Sequence, residues 1–321
     1  LYILTYAYIT SGGSITESLF QRFAPHLPIN HTFAALLFCL ALALFVSIST
    51  KAVDRMSTIL IFGMVIAFFL STTGLISSAK SDILLNHVAQ SETSYLPYLL
   101  SAIPTCLVSF GYHVCVPTLV NYYGGNSRKI MYAILIGSLL SLLIYISWQI
   151  AVQGNLPRSE FAPIIAKNGD VATLLIALNK YIPTQSISVL LDFFAYMAIA
   201  SSFLGVTLGL FDYISDVFKF GNHLWGRIKT ALVTFLPPLL MSLLYPYGFV
   251  TAIGYAGLAV SIWMIIIPSL LVRASRKKFT QSNYKVFGGK WLIYLIVVFG
   301  LLNIFCYIAG QMGWIPSFKG E

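Results

Sequence analysis

Five consecutive residues, Ser109-Phe110-Gly111-Tyr112-His113, hold the densest group of side chains in this sequence that could handle a small molecule. They sit inside an apolar run over residues 98–123, with Pro104 on one side and Pro117 on the other. Proline removes a backbone donor and clashes with the preceding turn, and glycine is a poor helix former. The pattern therefore predicts a discontinuous helix. At such a break the first half ends in free carbonyls and the second begins with free N–H groups. The carbonyls can hold an ammonium or a cation, and the positive end of the second half can hold a carboxylate. A zwitterionic amino acid presents both. Phe110 and Tyr112 would add stacking surface, and His113 is a group able to titrate near neutrality. A proline-kinked packing helix with a hydrogen-bonded histidine is the alternative, and the break alone does not separate the two.

No enzyme constellation competes with this stretch. Of His26, His31, His87, His113 and His223, only His113 falls in the middle of an apolar run, and no carboxylate neighbours it at ligand spacing. Gly124-Gly125-Asn126 reads as a turn at a helix end, not a phosphate loop. HExxH and GxSxG are absent. Cys39, Cys106, Cys115 and Cys306 match no zinc spacing and no disulfide framework, and they read as small buried hydrophobes. We expect no metal and no cofactor.

One carboxylate stands out. Asp192 lies about two turns into a long apolar stretch, among Leu and Phe, and an ionisable group in such a place is a functional candidate. At about 100° per residue, Asp192, Tyr196, Ile199 and Phe203 share one helix face, with Ser201, Gly205 and Asp212 nearly opposite and Ser202 between. Near the start of the chain Ala7, Ser11, Ser14 and Ser18 make a smooth stripe, which reads first as close helix packing. Ser11, Gly12 and Ser202 are further candidate substrate contacts. Asp192 is the candidate for proton coupling.

The elements that must position these residues are membrane spans. The chain has 321 residues, of which 58% are hydrophobic and 9% charged. Long apolar runs without charge must cross lipid, so the fold class is all-α, a polytopic helical membrane protein with one transmembrane domain over 1–321. Nine spans can be drawn: 1–20, 32–50, 56–78, 98–123, 129–152, 186–218, 228–245, 249–272 and 291–312. The net charge of +9 does not indicate nucleic acid, because the basic residues sit in short loops between apolar runs. Thirteen of the nineteen Lys and Arg residues fall in one set of alternate loops, including the basic loop 273–290, which makes that set cytoplasmic. The C-terminus is then outside. The loop 159–185 reads as a short helical lid or surface helix on the outer side, or as a plain connector. Pro237-Pro238 should kink the seventh span. Because the chain begins at Leu1 inside an apolar helix, an N-terminal part with an even number of spans is expected to precede it.

The stretches SAIPTCLVSFGYHVCVPTLVNYYGGNSRKI, ASSFLGVTLGLFDYISDVF, TFLPPLLMSLLYPYGFVTAIGYAGLA and IIPSLL, with YKVFGG after it, cover most of residues 101–289. In them the chain resembles the hydroxy/aromatic amino acid permease family of bacteria, in its tyrosine/tryptophan-specific branch. The resemblance implies the fold of the amino acid–polyamine–organocation superfamily, two inverted five-helix repeats and one further helix. The nine spans would be the third to the eleventh, and the first helix, which in the family carries half of the substrate site, would be absent. The family also has a lysine where this chain has Met64, and an aspartate where it has Tyr196. Asp192, one turn earlier on the same face, could substitute for the latter.

Together these readings predict a proton-coupled importer of an aromatic amino acid, tyrosine or tryptophan. It would sit as a multi-pass protein in a bacterial inner membrane, with a small-molecule substrate, a proton and lipid as partners and no nucleic acid. A serine/threonine permease of the same family is one alternative, although Phe110 and Tyr112 suit a larger pocket. A channel and a non-transporting remnant are others. An enzyme is not expected.

Overall fold

A computed structural model describes residues 1–27, 29–86, 95–182, 184–279, 287–316 and 318. Of the sequence readings, His87 and residues 280–286 of the basic loop fall outside these. The described chain is helical, with no strand. α1 (Tyr2–Phe23), α2 (His31–Ile48) and α3 (Thr50–Ser78) are followed by the single turn α4 (Ser81–Leu84). α5 (Leu99–Ser109) and α6 (Val116–Tyr122) are the two halves of a broken segment, and α7 (Ser127–Gln153) comes next. The short helices α8 (Phe161–Ala166) and α9 (Val171–Asn179) lie in the 159–185 connection, and α10 (Gln185–Phe218) and α11 (Leu224–Leu244) follow. α12 (Phe249–Val260) runs through a π-helical turn, Ser261–Ile266, into α13 (Ile267–Lys278), and α14 (Gly289–Gln311) completes the series.

Seven of these segments are long and apolar enough to cross a bilayer: α2, α3, α7, α10, α11, α12 through α13, and α14. The other two spans drawn from the sequence are α1, rich in Ser, Thr and Gly, and the interrupted pair α5–α6. The surface carries the solvent signature of lipid. On α7, Leu140 and Leu143 are 57% and 62% exposed, whereas Ser71, Thr207, Thr230 and Ser242 on other helices are fully buried. Those hydroxyls donate to carbonyls of their own helices, at 2.6–2.9 Å, so they need no water. The chain is an all-α polytopic membrane protein.

Local chemistry explains the starts of several helices. The Asn30 side chain accepts from Phe33 N–H at the head of α2, Ser49 from Ala52 N–H at α3, and Asp170 from Thr173 N–H at α9. Pro237 and Pro238 lie within α11, which runs unbroken through both. The π turn precedes Pro268, which lacks the donor that the Met264 carbonyl would use and crowds it. A wider turn accommodates both effects.

The chain divides into two compact units. One comprises Leu1–Gln90, Ser147–Ala252 and Lys319–Glu321; the other comprises Ser91–Ile146 and Ile253–Phe318. In the first, α10 packs along α3, and α1 packs on α2, α10 and α11. Phe38 meets Phe203 and Tyr196 edge to face, with ring centroids 5.4 and 6.0 Å apart. A Cβ on Gly12 would strike the Phe38 ring, and one on Gly13 would come to 2.8 Å from the Ala35 Cβ, so α1 needs both glycines to lie against α2. Asn155, 4% exposed, ties the end of α7 to α3. It donates to the Leu75 and Ala151 carbonyls, both at 2.7 Å, and accepts from Ser78 Oγ at 2.9 Å. In the second unit α14 packs on α5, the π turn and α13. There the fully buried Asn303 donates to Ser261, and a Cβ on Gly257 would come to 2.5 Å from the Pro104 carbonyl oxygen.

Candidate functional site

The break lies where Pro104, Gly111 and Pro117 place it. α5 stops at Ser109, and the chain turns through Phe110 (φ −103°, ψ 23°) and Tyr112 (φ −97°, ψ 1°). A 3-10 turn, His113–Cys115, then leads into α6, with Pro117 in its first turn. The carbonyls at the end of α5 are not left bare. Phe110 N–H donates to Leu107 O at 3.2 Å and Gly111 N–H to Val108 O at 3.1 Å. The Tyr145 hydroxyl, on α7, donates to Ser109 O at 2.6 Å, and its ring meets Phe110 edge to face at 5.3 Å. Gly111 fits this turn by size, since a Cβ there would come to 3.0 Å from the same Val108 oxygen.

A cavity of about 370 Å³ opens at this turn. Ser109, Phe110, Gly111 and Tyr112 form one wall with Cys115 and Leu119, and Ala133, Ile134, Gly137, Ser138 and Ser141 of α7 form the other. The volume suits a small organic ligand. His113 does not line it; its ring is half-buried and its Nδ1 is enclosed without a hydrogen-bond partner among the described residues. The α7 wall was not foreseen. Its signal was in the sequence as Gly137, Ser138 and Ser141 in an otherwise Leu- and Ile-rich helix. α6 has only seven residues, so the positive end of the second half is weak, and recognition here falls to cavity shape and the two aromatic rings.

The other candidate residues lie in the first unit. Ser11 and Gly12 are buried in α1, Gly12 as a packing glycine against Phe38, and Ser11 Oγ has no partner among the described residues. Ser202 is exposed on α10, near the Tyr8 hydroxyl. The helical-face reading of α10 agrees with its burial. Asp192, Ile199 and Phe203 are buried, and Gly205 and Asp212 are exposed. Tyr196, half-buried on the same face, meets the Phe38 ring edge to face. Met64 adjoins Gly63, where a Cβ would come to 2.7 Å from Met197 Sδ.

Asp192 has a partner that the sequence did not announce. Arg22, in the last turn of α1, forms an ion pair with it and donates to Ser188 Oγ at 2.9 Å. Asn179, at the end of α9, lies beside the same carboxylate. The nearby connection has its own cluster, in which Lys180 pairs with Glu160 at 3.5 Å and Tyr181 donates to Glu160 at 3.0 Å. That hydrogen bond to a carboxylate raises the Tyr181 pKa, because ionising the phenol would break it and set two anions together.

The cysteine reading needs correction. Cys39 and Cys306 are buried, but Cys106 and Cys115 are exposed on the broken segment, where an apolar side chain faces lipid or the cavity instead of a core. Among the described residues no three His, Cys, Asp or Glu side chains gather into a metal site.

A polytopic helical protein with a cavity of metabolite size at a helix break has the architecture of a membrane transport protein. The sequence matches the tryptophan/tyrosine permease family over residues 1–307, and the chain belongs to that family. It is 62% identical to a tryptophan-specific transport protein of Haemophilus influenzae, covering 100% of this chain and 78% of the relative. A tryptophan-specific transport protein of Pseudomonas aeruginosa is 45% identical over 99% of this chain and 76% of its own length. A tyrosine permease of Enterobacter agglomerans is 38% identical over 99% and 77%. The chain is thus an aromatic amino acid permease with an amino acid as its small-molecule substrate, a transporter and not an enzyme.

Proposed function

We propose that this permease imports tryptophan by proton symport across a bacterial inner membrane, with its C-terminus on the outer side and the basic loop 273–290 in the cytoplasm. Tryptophan is preferred to tyrosine because the relatives named tryptophan-specific are 62% and 45% identical, against 38% for the tyrosine permease. One observation carries the choice of site, the 370 Å³ cavity at the break between α5 and α6, walled by Phe110 and Tyr112 and faced by the smooth side of α7. An indole can lie between those rings and the Gly137–Ser141 surface, with the Ser109–Gly111 backbone at its polar end. His113 is proposed as a neighbour that sets the polarity of this turn. Ser11, Gly12 and Ser202 are proposed as further substrate contacts, and Asp192 as the carboxylate that takes the coupled proton.

The test is competition uptake in membrane vesicles from cells that express the gene and lack other aromatic permeases. Labelled tryptophan should accumulate under an imposed pH gradient, and unlabelled tryptophan should displace it better than tyrosine, phenylalanine, serine or threonine. Uptake that required sodium and ignored the pH gradient would refute the coupling. Preferential displacement by serine or threonine would refute the substrate.

A further inference from the structure

A second cavity, of about 500 Å³, lies in the first unit, where the last turn of α1, the end of α9 and the first turns of α10 meet. Its polar groups form an ordered set. On α10, Gln185, Ser188 and Asp192 follow i, i+3, i+7 and so share one face. From α1, Arg22 reaches across to Ser188 and Asp192 through a single nitrogen, Nη1. A guanidinium has five N–H donors, so most of Arg22's remain available to an oxyanion. Beside Asp192, the Asn179 side chain lines the same cavity, and its Oδ1 is enclosed with no hydrogen-bond partner among the described residues. An unsatisfied enclosed acceptor next to a carboxylate is a place for a donor, and one with charge gains most.

The other charged groups nearby are engaged elsewhere. Glu17 accepts from Gln21 Nε2 at 3.3 Å and lies 3.5 Å from the His31 ring, Lys180 pairs with Glu160 at 3.5 Å, and Asp170 caps α9 through Thr173 N–H at 2.9 Å. Arg22 and Asp192 thus face the cavity as one cation and one anion side by side. Ile176 and Ile182 supply an apolar wall. This is the complement of a zwitterion with a hydrophobic side chain.

We propose that this cavity is a second amino acid site, separate from the break at Ser109–His113. The substrate carboxylate binds Arg22, the ammonium binds Asp192 and Asn179 Oδ1, and the side chain lies on Ile176 and Ile182. Binding exchanges one internal ion pair for two pairs with the ligand. A ligand lacking either charge leaves one protein charge unpaired in a partly buried place, which is costly. The proposal rests on the reading of the chain as an aromatic amino acid permease.

Equilibrium binding of labelled tryptophan to the purified protein in detergent tests it. Wild type should bind two equivalents per chain. Arg22→Gln and Asp192→Asn should each bind one, and Gly111→Val, which obstructs the break, should also bind one. Arg22→Lys keeps the charge and should retain both, the second at least several-fold weaker. Tryptamine and indole-3-propionate, each lacking one charge, should fail to displace the equivalent that remains in Gly111→Val. Elution volume and helical circular dichroism confirm that each variant is folded. A single equivalent in wild type that Gly111→Val removes and Arg22→Gln keeps would overturn the second site while leaving the permease reading intact. Loss of both equivalents in a folded Arg22→Gln protein would also overturn it, because the two sites would not be separate. No binding to wild type would refute both readings together.

Discussion

Replacing Tyr145 with Phe should raise the KM for tryptophan by about 2- to 12-fold. The Tyr145 hydroxyl donates to the Ser109 carbonyl at 2.6 Å, the last carbonyl before the chain turns, and its ring lies against Phe110 at 5.3 Å. Phenylalanine keeps the ring and removes only the donor, so the substitution isolates one hydrogen bond. Such a bond contributes about 0.5–1.5 kcal/mol net, which is about 2- to 12-fold in an equilibrium constant. The effect should fall on recognition because the bond holds one wall of the cavity to the other: Ser109 belongs to the broken segment, Tyr145 to α7. Initial rates of labelled tryptophan uptake against concentration, normalised to the amount of protein in the membrane, would measure it. The expected pattern is a raised KM with kcat nearly unchanged. An unchanged KM would show that this hydroxyl does not preorganise the break. A lowered KM would be more damaging, because it would mean that the Ser109 carbonyl is itself a ligand for the substrate ammonium and that Tyr145 competes with it.

Gly111→Ala puts a Cβ 3.0 Å from the Val108 oxygen, which already accepts the Gly111 N–H, so the turn that walls the cavity must shift by a few tenths of an ångström. Tryptophan uptake should fall and smaller competitors should be affected less; unchanged competition profiles would remove Gly111 from the site. Asn155→Ala strips the Leu75 and Ala151 carbonyls of their side-chain donor in a buried place, which should cost about 2–4 kcal/mol. Its thermal midpoint in detergent should drop clearly, and a midpoint equal to wild type would show that Asn155 does not clamp α3 to α7.

The class of fold was legible because lipid imposes one rule on every span. Apolar runs of about twenty residues gave the helices, and Pro104, Gly111 and Pro117 located the break to within a residue or two. Features that depend on two segments meeting were not legible. Nothing near Arg22 in the sequence indicates that its guanidinium reaches Asp192, 170 positions away, and a loop arginine counts the same in a topology argument wherever it points. Tyr145 is one of 19 tyrosines, and only its distance to Ser109 distinguishes it. The π turn had a local cause in Pro268, yet a proline in a span predicts a kink as readily as a widened turn. Gly12, a candidate for substrate contact by residue type, turns out to face the Phe38 ring.

Asp192 bears on coupling and on binding at once, and the two roles make opposing demands. A proton carrier must be released from its cation at some stage, whereas a carboxylate paired with Arg22 is held by that cation. One turn further along the same face this chain has Tyr196, whose ring meets Phe38 edge to face. At position 192 the carboxylate lies within reach of Arg22 on α1, with Asn179 and Ser188 as its uncharged neighbours. Substrate offers a way to reconcile the demands: a carboxylate that draws Arg22 away leaves Asp192 to an ammonium or a proton. Asp192→Asn keeps the shape and removes the titration. If Asp192 carries the proton, the variant should still exchange internal for external tryptophan but should lose accumulation driven by a pH gradient. Unchanged pH-driven accumulation would clear Asp192 of coupling. Loss of exchange and accumulation alike, with one equivalent of tryptophan still bound, would assign it to binding alone.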